Sequence, residues 1–143
     1  MDDASFEEEL EAGADLVRRL AEGLPTVVDM LREHEDDNDE ILPTIFLGQV
    51  ADWYVEAWRS RPAEPNAFKE AERFTVRLAA CYPKVSPAEQ NMIVVGFLES
   101  LPNPGAPDRA CIDSLPDVLR GEREKMDSPN NGPGMGDGGT GLY

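Results

Sequence analysis

ILPTIFLGQVADWYVEAWRS, residues 41–60, carries both tryptophans of the chain, Trp53 and Trp58, together with Phe46 and Tyr54. At helical spacing, Gln49, Asp52, Glu56 and Arg59 recur at steps of three, four and three. They form one polar stripe on a cylinder that is otherwise apolar or small. A surface helix shows one apolar stripe; a helix with a single polar stripe is enclosed by protein on its other sides. The stretch therefore reads as the central helix of a small bundle, starting at Pro43, whose missing N–H costs nothing in a first turn.

The flanking sequence supplies the helices that would surround it. Phe6, Leu10, Gly13, Val17, Leu20 and Leu24 follow one another at steps of four and three, an amphipathic pattern that ends at Gly23 and Pro25. Ser5 with Glu8 three residues on is a capping box that would open this helix. A shorter helix from Pro25 to about Glu35 turns Val27, Val28 and Leu31 inward. The acid-rich run Glu33–Glu40 then reads as a solvated loop leading into the central helix. After the two-proline linker Arg61–Pro65, Asn66 is placed to cap a helix burying Phe68, Ala71, Phe74, Thr75, Leu78, Cys81 and Tyr82. Ser86-Pro87-Ala88-Glu89 combines a cap, a first-turn proline and a glutamate at the third position. Its helix would run to about Leu101; the β-branched run Met92–Val95 allows a strand, but the cap and the length favour helix. Short helical turns follow around Cys111–Leu115 and Val118–Leu119. The expected architecture is an all-α bundle of five or six helices. Residues 1–126 would form one helical domain and 127–143, with six of the twelve glycines, a disordered tail.

A chain of 143 residues can bury a core without disulfides or metal. Its charge is lopsided. The net charge is −16, and residues 1–40 hold 15 acids against 3 bases, the remainder 14 against 10. Such a surface repels nucleic acid and anionic lipid and attracts basic proteins. Two cysteines thirty residues apart, with no CxxC, point to free thiols in a reducing cytoplasm. No apolar run is long enough to span a membrane, and the acidic start is the opposite of a signal peptide.

Residues that could carry chemistry are few. Glu33, Glu35, Asp36, Asp37 and Asp39 invite a calcium reading. In an EF-hand register started at Asp36, however, Ile41 falls at the sixth position and Leu47 at the twelfth. His34 is the only histidine; no nucleophile or second histidine accompanies it, and its place near Leu31 suggests a helix-end residue beside carboxylates. Asp52 and Glu56, one turn apart, could do acid–base work if enclosed; on an open helix face they are a solvated stripe. With Gly48 one turn earlier and Trp53 beside them, they could instead edge a groove for a basic group. No phosphate loop, GxSxG motif or basic nucleic-acid stripe is present, so no cofactor is implied.

Two segments, DEILPTIFLGQVADW at 39–53 and NMIVVGFLESL at 91–101, together resemble a family of small acidic bacterial proteins of unknown function. Some of its members look like immunity proteins that neutralise toxins. The resemblance covers roughly residues 25–105 and rests on hydrophobic pattern and a few marked residues. It implies an inhibitor-like binding protein and carries over no active site. The leading expectation is a cytoplasmic, non-enzymatic module that meets a basic partner, such as a cognate toxin, through Glu33, Glu35, Asp36, Asp37, Asp39, Asp52 and Glu56. The alternatives are a carboxylate- or metal-dependent enzyme using Asp52 and Glu56, with His34, and an acidic adaptor whose charge serves solubility alone.

Overall fold

The computed structural model describes residues 3–127, with side chains from Glu7 onward. The expected tail at 127–143 lies outside the described residues, save for Asp127. Six α-helices follow in order: α1 Asp3–Ala21, α2 Pro25–Asn38, α3 Pro43–Ser60, α4 Pro65–Cys81, α5 Pro87–Met92 and α6 Asp117–Asp127. The α5 helix continues without a break through a wide π turn, Ile93–Phe97, and a tight 3-10 turn, Leu98–Ser100. Further 3-10 turns occupy Tyr82–Lys84 and Arg109–Ser114. Among the described residues there is no strand, and no helix is long and apolar enough to cross a membrane.

The bundle is built around α3, which touches α1, α2, α4 and the 87–100 helix. Phe46, Leu47, Val50, Ala51, Tyr54 and Ala57 are buried on it. Its exposed residues are Ile45, Gln49, Asp52, Glu56 and Arg59, the polar stripe extended by one isoleucine. Trp53 and Trp58 flank the stripe, half-buried against the core. Each large apolar side chain taken fully from water contributes about 1.5–3 kcal/mol, so this helix alone supplies a large share of the driving force. Tyr54 sends its hydroxyl to the Cys111 carbonyl at 2.9 Å, tying the centre to the last third of the chain.

Four helices begin at a proline: Pro25, Pro43, Pro65 and Pro87. The residue before a proline is pushed out of the helical region, and Leu24, Leu42 and Ser86 are indeed extended. Only Ser86 caps with its own side chain, in a full capping box with Glu89. Three further helix ends are satisfied from a distance. Glu70, on α4 and only 7% exposed, accepts from the amides of Thr26 at 2.7 Å and Val27 at 3.4 Å in the first turn of α2. Arg77, also on α4, donates to the Leu20 carbonyl at 2.9 Å and to that of Glu22 at the end of α1. Arg123, 2% exposed on α6, donates to the carbonyls of Leu98 and Leu101 at 2.7 and 2.9 Å, closing the 87–100 helix. Acid goes to a helix start and base to a helix end, as the helix dipole favours.

Several sequence expectations shift. α1 is already helical at Asp3, so Ser5 lies inside the helix rather than at its start. α2 runs to Asn38, so most of the acidic run is helix and not loop. Asn66 is likewise within α4, whose cap position is Glu64. Cys81 and Tyr82 are half-buried rather than core. The last helix is longer than one turn, because Leu119 and Arg123, four apart, both point inward.

Candidate functional site

α1 and α2 form a hairpin. Gly23, at φ 78°, makes the reversal that few side chains tolerate, and Pro25 starts the return. Glu7, Glu11, Ala14 and Arg18 lie on one face of α1, at steps of four, three and four. Glu35 and Asp39 are one turn apart at the end of α2. The hairpin brings these two rows together across an open cleft of about 480 Å³, with Glu40 and Ile41 closing its end. The floor is Leu10, Ala14 and Ile41. Five carboxylates thus share one concavity with a single cation, Arg18, which is already paired with Asp15 at 2.9 Å.

His34 fixes the geometry of the cleft's end. It is 2% exposed, so it belongs to the core and not to a solvated loop. Its Nε2 accepts the backbone N–H of Leu42 at 3.0 Å. An amide can only donate, so Nε2 carries no proton and Nδ1 does; Nδ1 donates to Gln49 Oε1 at 3.1 Å. The ring leans on Phe46 at 5.5 Å between centroids, and Asn38 donates to the His34 carbonyl at 2.8 Å. Both ring nitrogens are therefore occupied in holding the 39–42 turn against α2 and α3. Asp39 takes φ 61° at the helix end, a conformation that aspartate tolerates better than most residues. Together these place Asp39, Glu40 and Ile41 over α1.

The seven residues singled out from sequence do not form one site. Glu35 and Asp39 line the cleft. Glu33, Asp36 and Asp37 are exposed on the last turns of α2 but do not line it. Asp52 and Glu56 stand exposed on α3 and do not line it either. Glu56 is paired with Arg59, which also grips Asp108, and Ser60 donates to Glu56 at 3.2 Å. The Arg59 hydrogen bond holds the Asp108 carboxyl below the usual carboxylate range. A solvated pair with one member already neutralised is poorly set for acid–base work.

At Gly48, where one reading set a groove, α3 packs closely on its neighbour. A Cβ there would meet Ser100 Oγ at 3.3 Å and the Gly96 carbonyl at 3.4 Å, because α3 packs closely on the π turn at this point. Glu7, Glu11 and Glu40 also line the cleft; the sequence places them on the acidic first helix and at the end of the acid-rich run, outside the seven. The available signal was the four-residue spacing of Glu7 and Glu11, matched by Glu35 and Asp39. Among the described residues, no group of three or more His, Cys, Asp or Glu side chains is arranged to hold a metal ion.

No protein family matches the chain, and neither do any of the curated proteins or solved structures with which it was compared.

Proposed function

We propose that the protein is a non-enzymatic, protein-binding module of the immunity or antitoxin kind, whose acidic cleft between α1 and α2 receives a basic segment of its partner. The observation that carries this reading is the convergence of Glu7, Glu11, Glu35, Asp39 and Glu40 on one concavity with an apolar floor. Carboxylates spread over a surface serve solubility; carboxylates facing one another across a cleft focus the field, because the low-dielectric walls confine it. A lysine or arginine stem would lie on Leu10, Ala14 and Ile41 while its head meets the acids. Glu33, Asp36 and Asp37, exposed beside the cleft, extend the negative field and steer the encounter. Asp52 and Glu56 have at most an outlying part. Charge of this kind raises the association rate and selects partners more than it adds affinity. The resemblance of residues 39–53 and 91–101 to small acidic bacterial proteins, some of them like immunity proteins, supports the same class. So does the charge balance, which disfavours nucleic acid and membrane surfaces as partners. The reading puts the protein in the cytoplasm, where its unpaired Cys81 and Cys111 would stay reduced.

An octalysine peptide titrated into the labelled protein tests this. Amide shifts should cluster on residues 7–18 and 35–41, and the apparent affinity should fall steeply with salt. Glu35→Gln combined with Glu40→Gln should weaken binding several-fold more than Asp52→Asn combined with Glu56→Gln. Shifts spread evenly over the acidic surface, or equal effects of the two pairs, would sink the proposal.

A further inference from the structure

The protein has a second face of opposite character. Seven of its thirteen cations are ion-paired among the described residues: Arg18, Arg32, Arg59, Arg109, Arg120, Arg123 and Lys125. The six with no carboxylate within pairing distance among the described residues are not scattered. Arg61 stacks on Trp58. The other five line two adjoining concavities that share Arg77: Lys69 and Arg73 in a groove along α4, Arg19 and Lys84 in a pocket between α1 and α4. In a chain with more than twice as many acids as bases, this segregation leaves one positive surface on a negative molecule.

The pocket is the more defined of the two. It measures about 500 Å³, within the range of small-ligand sites. Its cations come from three separate elements: Arg19 from α1, Arg77 from α4 and Lys84 from the Tyr82–Lys84 turn. Its apolar wall is Leu16, Leu20 and Val85, with the half-buried Cys81 thiol beside them. Burial pushes that thiol's pKa up, and the positive charge of Arg19, on the same lining, pulls it back. The one carboxylate on the lining, Glu89, is engaged with the Ser86 amide at 3.0 Å in the α5 cap. Arg77 spends one nitrogen on the end of α1 and Arg19 its Nε on the Asp15 carbonyl, so each keeps donors in hand.

We propose that this pocket binds an organic anion, its carboxylate or phosphate head held by Arg19, Arg77 and Lys84 and its apolar body lying against Leu16, Leu20 and Val85. The site is independent of the acidic cleft and of the partner-binding reading. Planar guanidinium groups suit bidentate oxyanion contacts, and an ammonium adds a point charge. The apolar wall favours an anion with a hydrocarbon body over a bare ion.

Cys81 reports occupancy. Its alkylation by iodoacetamide in the full chain, followed by mass spectrometry, is compared with hexanoate, hexyl phosphate, inorganic phosphate and hexanol present in turn. Cys111 is fully buried and serves as the silent internal control. Hexanoate, hexyl phosphate or both should slow Cys81 alkylation, and the two arms tell a carboxylate from a phosphate ligand. Hexanol and inorganic phosphate should do so far less. Arg19→Gln combined with Lys84→Gln spares Arg77, which closes α1, and should weaken the protective ligand about ten-fold or more through two lost charge-assisted contacts. Amide shifts of Leu20 and Val85 in the unmutated protein provide a second measurement should that variant fold poorly. Protection by hexanol or inorganic phosphate equal to that of the organic anions would overturn the proposal. So would the absence of both protection and shifts at millimolar ligand.

Discussion

Glu70 shows a role that no local signal in the sequence announces. On α4 it looks like one more exposed glutamate, yet it is buried against the start of α2. Leu24, at the cap position there, has no side-chain acceptor, and the acceptor comes from forty-odd residues downstream. Glu70→Ala leaves the amides of Thr26 and Val27 without it and should cost about 1–2 kcal/mol. Glu70→Gln, which keeps an oxygen, should recover part of that. Urea unfolding measures both, and a Glu70→Ala midpoint equal to the unmutated protein's would mean water does the job. Cys111 makes a prediction in alkali. Burial, then the nearby Asp108, pushes its thiol from 9.0 to about 11. The folded state therefore holds the proton more tightly than the unfolded chain. That stability is fully present below pH 9 and is lost as pH rises through 11, in all about 2–3 kcal/mol. Tyr54, also raised by burial, pulls in the same direction at higher pH. The urea midpoint should hold steady from pH 7 to 8.5 and then fall. Cys111→Ala should shrink the fall; an identical fall in both proteins would clear the thiol.

At the scale of elements, the seam between α3 and the 87–100 helix is the critical contact. A Cβ on Gly96 would lie 2.6 Å from the Thr44 carbonyl oxygen and 2.9 Å from Leu47 Cβ, so the α3 backbone itself would have to move. Gly96→Ala should therefore destabilise by about 1–3 kcal/mol, as overpacking does. Gly48→Ala meets its neighbours at 3.3 and 3.4 Å, where Ser100 Oγ, while donating to the Gly96 carbonyl, need give by only a few tenths of an ångström. The roughly 1 kcal/mol by which alanine outranks glycine in a helix should leave that variant near neutral. Thermal melts of the pair decide the matter, and equal losses would mean the seam is softer than drawn. The helices themselves were legible because their signals are local: prolines at 25, 43 and 87, the Ser86 cap, and the stripe on α3. The end of α2 was not. Charge density argued for a loop at Glu33–Glu40, while His34 and Leu31, three apart on the buried face, hold the same residues in a helix. Nor was the close approach at Gly48 legible, since its cause is Gly96, nearly fifty residues away. Long-range caps such as Arg77 and Arg123 are invisible to any reading that looks only a turn or two ahead.

For the whole molecule, the two charged surfaces set a conflict between stability and binding. Five carboxylates on one cleft repel one another, and only Arg18, itself engaged, lies among them. A protein selected for stability alone would have interleaved the signs. If the cleft exists to receive a basic partner, the isolated chain must carry that repulsion until the partner arrives. Glu35→Gln with Glu40→Gln should then raise the unfolding midpoint in about 10 mM salt, where the screening length is about 30 Å. The gain should shrink toward zero near 1 M salt, where that length is about 3 Å. Removing the same number of charges from the α3 stripe, at Asp52 and Glu56, should give no such gain, because Glu56 would forfeit its pair with Arg59. Calorimetry across a salt series reads both variants. A cleft variant no more stable than the parent at low salt would mean that its carboxylates are too well solvated to repel. Carboxylates that do not sense one another across the cleft would not present a focused field to a cationic partner either.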